Sequence, residues 1–175
     1  MLTITPPRDA TLDRAVPEEV LRAGISAEVP VTTIRIAGIS PAGTFFDYAP
    51  LHLITSSTLA EMAAHVPSGI AHAERYRPNI VISTLTPGFT ENDWYDRDLR
   101  IGADLVIRVV ARTPRCAIPT LQHGALPRDP EALRVLANHN RVAPMDDSNP
   151  EPCAGVYATV VNPGHIGEGD PVCFA

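Results

Sequence analysis

Leu99-Arg100-Ile101-Gly102-Ala103-Asp104-Leu105-Val106-Ile107-Arg108-Val109-Val110 reads as two strands around a tight turn at 102–104. The first run alternates apolar and polar residues, and the second is apolar on nearly both faces, so the pair predicts a hairpin whose second strand is covered on each side. Leu105, Ile107, Val109 and Ala111 share one face. That pattern fits a closed barrel with an elaborated exterior. Outward from the hairpin, further strands are expected at Thr32–Ile36, Leu51–Thr55, Ile80–Ile82, Val156–Val161 and Pro171–Phe174. Eighteen prolines in 175 residues, about twice the usual share, argue for loop-rich β architecture over a helical bundle.

Helices are predicted to be few and short. Thr58 with Glu61 reads as a capping box, followed by Leu59, Met62, Ala63 and Val66 at helical spacing and stopped by Pro67. Asp129 as N-cap with Pro130 in the first position opens a second helix, with Ala132, Leu133, Leu136 and Ala137 on the buried face. Pro17–Gly24 is a weaker third candidate, and 142–152 reads as a surface loop. The fold class expected is therefore mainly β, a barrel with a few short peripheral helices. Its length gives one domain able to bury a full core.

Net charge is −6, with no basic stripe, so nucleic acid lacks an electrostatic foothold. All 14 cationic residues are arginine, which excludes a covalent pyridoxal phosphate on lysine and a P-loop lysine. No apolar run approaches the roughly 20 residues of a membrane span, and none at the N-terminus resembles a signal peptide. Three cysteines without a CxxC pair point to a reducing cytoplasm. No membrane partner is expected.

Thr113-Pro114-Arg115-Cys116-Ala117-Ile118-Pro119-Thr120 places a cysteine after an arginine, just past the apolar strand. A free thiol has a pKa of about 8.5, and a nearby cation such as Arg115 or Arg112 favours the thiolate, the form that attacks electrophiles and binds soft metals. The alternative is a buried cysteine acting as a small hydrophobe. Arg75-Tyr76-Arg77-Pro78-Asn79, at the entrance of the Ile80 strand, offers guanidinium forks and an amide for a phosphate or carboxylate, or else forms a solvated edge. Tyr157 reads as a core residue or a site residue. Cys153 and Cys173 are expected to be packing residues, and the six histidines lack zinc spacing. A hydrolase dyad of Cys116 with His123 or His139 has no evident third member.

The ordered blocks Arg77-Pro78-Asn79-Ile80-Val81-Ile82-Ser83, Glu91-Asn92-Asp93-Trp94, Leu99-Arg100-Ile101-Gly102, Arg115-Cys116, Gly155-Val156-Tyr157 and Gly167-Glu168-Gly169-Asp170-Pro171-Val172 resemble the MOSC domain, named for the C-terminus of molybdenum cofactor sulfurases. The resemblance covers Phe45 to Phe174. It implies a MOSC-type barrel over 44–175, with 1–43 an N-terminal extension, a candidate remnant of the N-terminal barrel found in amidoxime-reducing members. It also implies binding of the molybdenum cofactor, molybdopterin. Cys116 would be the catalytic residue and the metal ligand, with Arg77, Asn79, Arg115 and Tyr157 around the cofactor and Thr55 and Thr58 presenting hydroxyls to it. After the cysteine, those members show Thr-x-Asp-Pro where this chain has Thr120-Leu121-Gln122-His123, so the acid is lacking and His123 is a speculative substitute for it. The activity implied is reduction of N-oxygenated compounds with an electron-donor protein as partner. The alternatives are sulfur carriage as a Cys116 persulfide loaded by a cysteine desulfurase, or a non-catalytic relic.

Overall fold

The computed structural model describes residues 2–5 and 48–175. Among them, eight strands form one sheet: β1 (Leu2–Thr5), β2 (Leu51–Thr55), β3 (Ile80–Ser83), β4 (Asp98–Ile101), β5 (Leu105–Pro114), β6 (Arg141–Val142), β7 (Glu151–Asn162) and β8 (Pro171–Phe174). Their order is β2-β3-β1-β8-β4-β5-β7-β6, and an additional β2–β7 pairing closes seven of them into a barrel. Among the described residues, two helices, α1 (Ser56–His65) and α2 (Glu131–His139), lie outside it with three short 3-10 turns.

The hairpin read from the sequence is β4–β5, with Ile101 opposite Leu105 and Asp98 opposite Arg108. Gly102 takes the turn at φ +63°, a conformation glycine adopts without a Cβ penalty. Leu105, Ile107 and Val109 point into the barrel, where they join Leu53, Ile80, Ile82, Leu99, Ile101, Val156, Ala158 and Val172, while Ala111, past a register shift, is buried outside this cluster. Trp94 fills the same interior and meets Phe174 edge-on, with ring centroids 6.2 Å apart. Each fully buried Leu or Ile here contributes about 1.5–3 kcal/mol of transfer free energy.

A second core lies between the barrel exterior and the helices. Strand alternation sends Leu53 inward and Ile54 outward, Ile80 and Ile82 inward and Val81 outward. Ile54, Tyr76, Ala154 and Val81 thereby meet Met62 of α1 and Ala132, Val135 and Leu136 of α2. The layer exists because β2 and β3 are parallel, and parallel neighbours need a crossover, which here carries α1.

The helix caps differ from expectation. α1 begins earlier: Thr55 is the N-cap and its Oγ1 accepts the Thr58 N–H at 3.0 Å, while Glu61 pairs with His65 instead of closing a box. In α2 the buried face is Ala132, Val135 and Leu136, with Leu133 and Ala137 half-buried, and Asp129 Oδ1 accepts the Glu131 N–H at 3.0 Å. The expected loop narrows to 143–150, because Arg141–Val142 pairs with Pro152 and Glu151. The predicted strand Thr32–Ile36 and helix Pro17–Gly24 lie outside the described residues.

Candidate functional site

On the barrel exterior, the end of β5, the middle of β7, the start of β3 and the 3-10 turn Ala73–Tyr76 enclose a cavity of about 260 Å³. Cys116, Arg115, Arg77, Asn79 and Tyr157 line it, together with His52. Thr55 and Thr58 do not. Both are fully buried and donate their hydroxyls to Glu91 Oε2 at 2.7 Å each. Glu91 is itself 1% exposed, and burial raises its pKa.

The floor of the cavity is built on Arg115. Its guanidinium donates to Ala154 O from Nε (3.0 Å) and Nη2 (2.7 Å), to Tyr76 O from Nη1 (3.1 Å), and to His52 Nε2. Burial lowers its pKa to about 10, so it remains cationic at neutral pH. The sequence reading set Arg115 and Arg112 beside Cys116 as cations favouring its thiolate; the charge of Arg115 does act on Cys116, although its hydrogen bonds go elsewhere. Arg112 donates to Asn92 O (2.8 Å) and Ala143 O (3.0 Å) and lies 5.3 Å from the Tyr95 ring centroid, and neither arginine donates to Cys116. Adjacency in sequence brought the guanidinium near but left its direction to be set by unpaired carbonyls.

His52 is the site residue that sequence reasoning passed over as an ordinary strand position. It is 6% exposed, and its pKa lies well below the ordinary value because of burial first and the Arg115 charge second. As a neutral imidazole it accepts from Arg115, and its ring stands 5.9 Å from that of Tyr157, its cross-strand partner. The legible signal was Gly155 inside a strand pattern. Gly155 sits in a bulge at φ +79°, and a Cβ there would lie 2.3 Å from both His52 Nε2 and Leu53 O.

The mouth differs. Cys116 is exposed and free. Arg77 is exposed, and among the described residues its guanidinium makes no hydrogen bond. It sits at φ +51° as the C-cap of the 3-10 turn Ala73–Tyr76. Asn79 ties β3 to β2, accepting the His52 N–H on Oδ1 (2.7 Å) and donating its own N–H to His52 O (2.8 Å), which leaves its Nδ2 for the cavity. Tyr76, under Arg115, donates its phenol to Ala132 O at 2.7 Å, and burial pushes its pKa to about 12.

The remaining chemistry-bearing residues stand apart from the cavity. His139 stacks on His65 with centroids 3.9 Å apart, and His123 pairs its backbone with Leu126. Cys153 packs as expected, its thiol pushed to about 11 by burial. Cys173 does not pack: β8 turns Val172 inward, which leaves Cys173 exposed. Among the described residues no three His, Cys, Asp or Glu side chains converge. A metal held at Cys116 therefore has to bring most of its ligands with it.

The MOSC domain family profile matches residues 41–173. Human mitochondrial amidoxime-reducing component 1 is 30% identical over 132 residues, 73% of this chain and 37% of that protein. The mouse protein of the same name is 29% identical over 131 residues, again 73% and 37%. The chain thus spans little more than a third of the length of the curated relatives it matches. The crystal structure of YiiM from Geobacillus stearothermophilus aligns with a TM-score of 0.48 at 17% identity, over 71% of this chain and 53% of that one. On the extent of the family match and the identity to the human protein, the chain belongs to the MOSC domain family.

Proposed function

We propose that this cavity binds the molybdenum cofactor and that Cys116 is its protein ligand to molybdenum. The observation that carries the reading is the convergence of an exposed thiol, an uncommitted guanidinium and a free amide nitrogen on one cavity. The donor set suits the group: a soft sulfur for the metal, with Arg77 and Asn79 Nδ2 for the anionic pterin and its phosphate. About 260 Å³ lies just below the usual ligand-site range of roughly 300–1,000 Å³, so these walls accommodate one end of such a molecule. Tyr157 borders the same space, and Arg115 fixes the loop that carries the thiol.

When bound, the cofactor supplies two-electron redox chemistry, which for an N-hydroxylated substrate means N–O cleavage with two electrons and two protons, releasing water. The electrons come from a partner protein. The relatives are named for amidoxime reduction, and that name supports an N-oxygenated substrate here. The polypeptide holds and orients. Among the described residues no helix is long and apolar enough to cross a membrane, and the three free cysteines fit a reducing cytoplasm. Protein made in a cofactor-producing host should carry near-stoichiometric molybdenum and pterin, both reduced but not abolished in Cys116→Ala. Equal metal and pterin in the two proteins would refute the ligand assignment.

The exposure of Cys116 also favours a second reading, sulfur carriage. A desulfurase persulfide would transfer its outer sulfur to the Cys116 thiolate, leaving the donor as a thiol and Cys116 as a persulfide. A 32 Da mass gain confined to Cys116 after incubation with a cysteine desulfurase, about the mass of one sulfur, is the expected sign.

A further inference from the structure

Beside the thiol, the loop is built in an unusual way. From Cys116 to Leu121 it carries no charge, and two large aliphatic side chains on it face solvent, Ile118 at 53% and Leu121 at 52% exposure. Pro119 between them is buried. From beneath, the buried Arg75 donates to Pro119 O (3.3 Å), Leu121 O (3.2 Å) and Pro127 O (2.6 Å). Within the loop, Thr120 N–H and Oγ1–H both donate to Ala117 O, and Leu121 N–H donates to Ile118 O. A loop free to rearrange would turn its aliphatic groups inward, whereas this one is clamped with them outward.

Ile118 and Pro119 line the cavity on the side of Cys116, while Arg77 and Asn79 line it with polar groups. The cavity thus has polar lining at Arg77 and Asn79 and an uncharged apolar lip at Ile118 and Pro119 beside the thiol, with Leu121 exposed on the same loop just outside the lining. We infer that Ile118 and Leu121 determine specificity: the substrate is an uncharged organic molecule whose apolar aryl or alkyl body rests on this lip while its reacting group is directed towards Cys116. The inference rests on the cofactor-site reading for the chemistry but not for the geometry. An uncharged lip leaves charged molecules without a partner at this edge, which is how the loop would select.

The lip can be tested without the cofactor. In the full chain made without molybdenum cofactor, the rates of alkylation by N-phenylmaleimide and N-methylmaleimide are compared at Cys116 and at Cys173, the other exposed cysteine. The phenyl-to-methyl ratio should be about five- to tenfold higher at Cys116 than at Cys173, and should fall to the Cys173 value in Ile118→Ser/Leu121→Ser. Both replaced side chains face solvent, so circular dichroism should show an unchanged fold. Equal ratios at the two cysteines, or a ratio unmoved by the double substitution, would overturn the inference. In cofactor-loaded protein, the kcat/KM preference for an aryl over a methyl amidoxime should fall by a similar factor in the double variant. Loss of turnover with the donor protein but no change in either ratio would assign the lip to a protein surface and also overturn it. Absence of molybdenum from the wild type would instead defeat the cofactor reading, with the alkylation ratios still deciding the lip.

Discussion

On the floor of the cavity, Arg75 is buried and Arg115 half-buried, and their guanidiniums are engaged with main-chain carbonyls, joined at Arg115 by a neutral imidazole. At the mouth, Cys116 and Arg77 are exposed and make no such bonds. Arg115 and Cys116 are chain neighbours, and Arg75 and Arg77 are two residues apart, so the contrast arises from folding and not from segment. A buried guanidinium with several carbonyl acceptors is a structural fastener, because removing it strands those acceptors away from water. An exposed thiol and guanidinium contribute little to stability, which leaves them available for a ligand. Stability and binding should therefore separate cleanly by mutation.

The largest effect is expected at Arg115. Arg115→Met removes a charged donor from Ala154 O, Tyr76 O and His52 and should lower unfolding free energy by about 3–5 kcal/mol in urea titration. Arg115→Lys should recover less than half of that, since an ammonium cannot reproduce the fork. A wild-type-like midpoint for Arg115→Met would erase the distinction between floor and mouth. Next comes Gly155→Ala, which combines a left-handed backbone with a Cβ pressed on Leu53 O and should lose about 2–4 kcal/mol.

A smaller effect, confined to acid, is expected from His52. Its folded-state pKa lies below the unfolded value, so the unfolded chain binds the extra proton first. Stability should be flat above about pH 6.5 and fall as pH drops from there through the folded-state pKa. His52→Gln should flatten that part of the profile, and an unchanged acid limb in the variant would count against a neutral buried imidazole. At the mouth, Cys116→Ala should shift stability by no more than about 0.5 kcal/mol. Arg77→Gly, which relieves a left-handed arginine, should remain within about 1 kcal/mol on the stabilising side while weakening anion binding.

The hairpin and the barrel face of β5 were legible because period-2 burial writes itself into sequence: Leu105, Ile107 and Val109 can alternate in only one way. β7 was read too short, as 156–161 instead of 151–162, because Pro152 and Gly155 interrupt the pattern at the pairing with β6 and at the bulge. The pairing of β1 with β3 and β8 was not legible at all, since four residues carry no record of their partners. For the site, family blocks pointed to Cys116, Arg77, Asn79 and Tyr157, and folding brings these four to one cavity. The same resemblance enlisted Thr55 and Thr58, whose hydroxyls are turned to a buried Glu91 that no pattern connects to them. The direction of Arg115 was invisible for a related reason: the Ala154, Tyr76 and His52 groups that hold it lie 39, 39 and 63 residues away.

The most direct test of the account is the sulfur count at molybdenum in X-ray absorption spectra of cofactor-loaded wild type and Cys116→Ala. The account predicts one sulfur scatterer fewer in the variant, with the unfolding midpoint unchanged. The same sulfur count in both proteins would contradict it, because the thiol at the mouth would then not be the ligand.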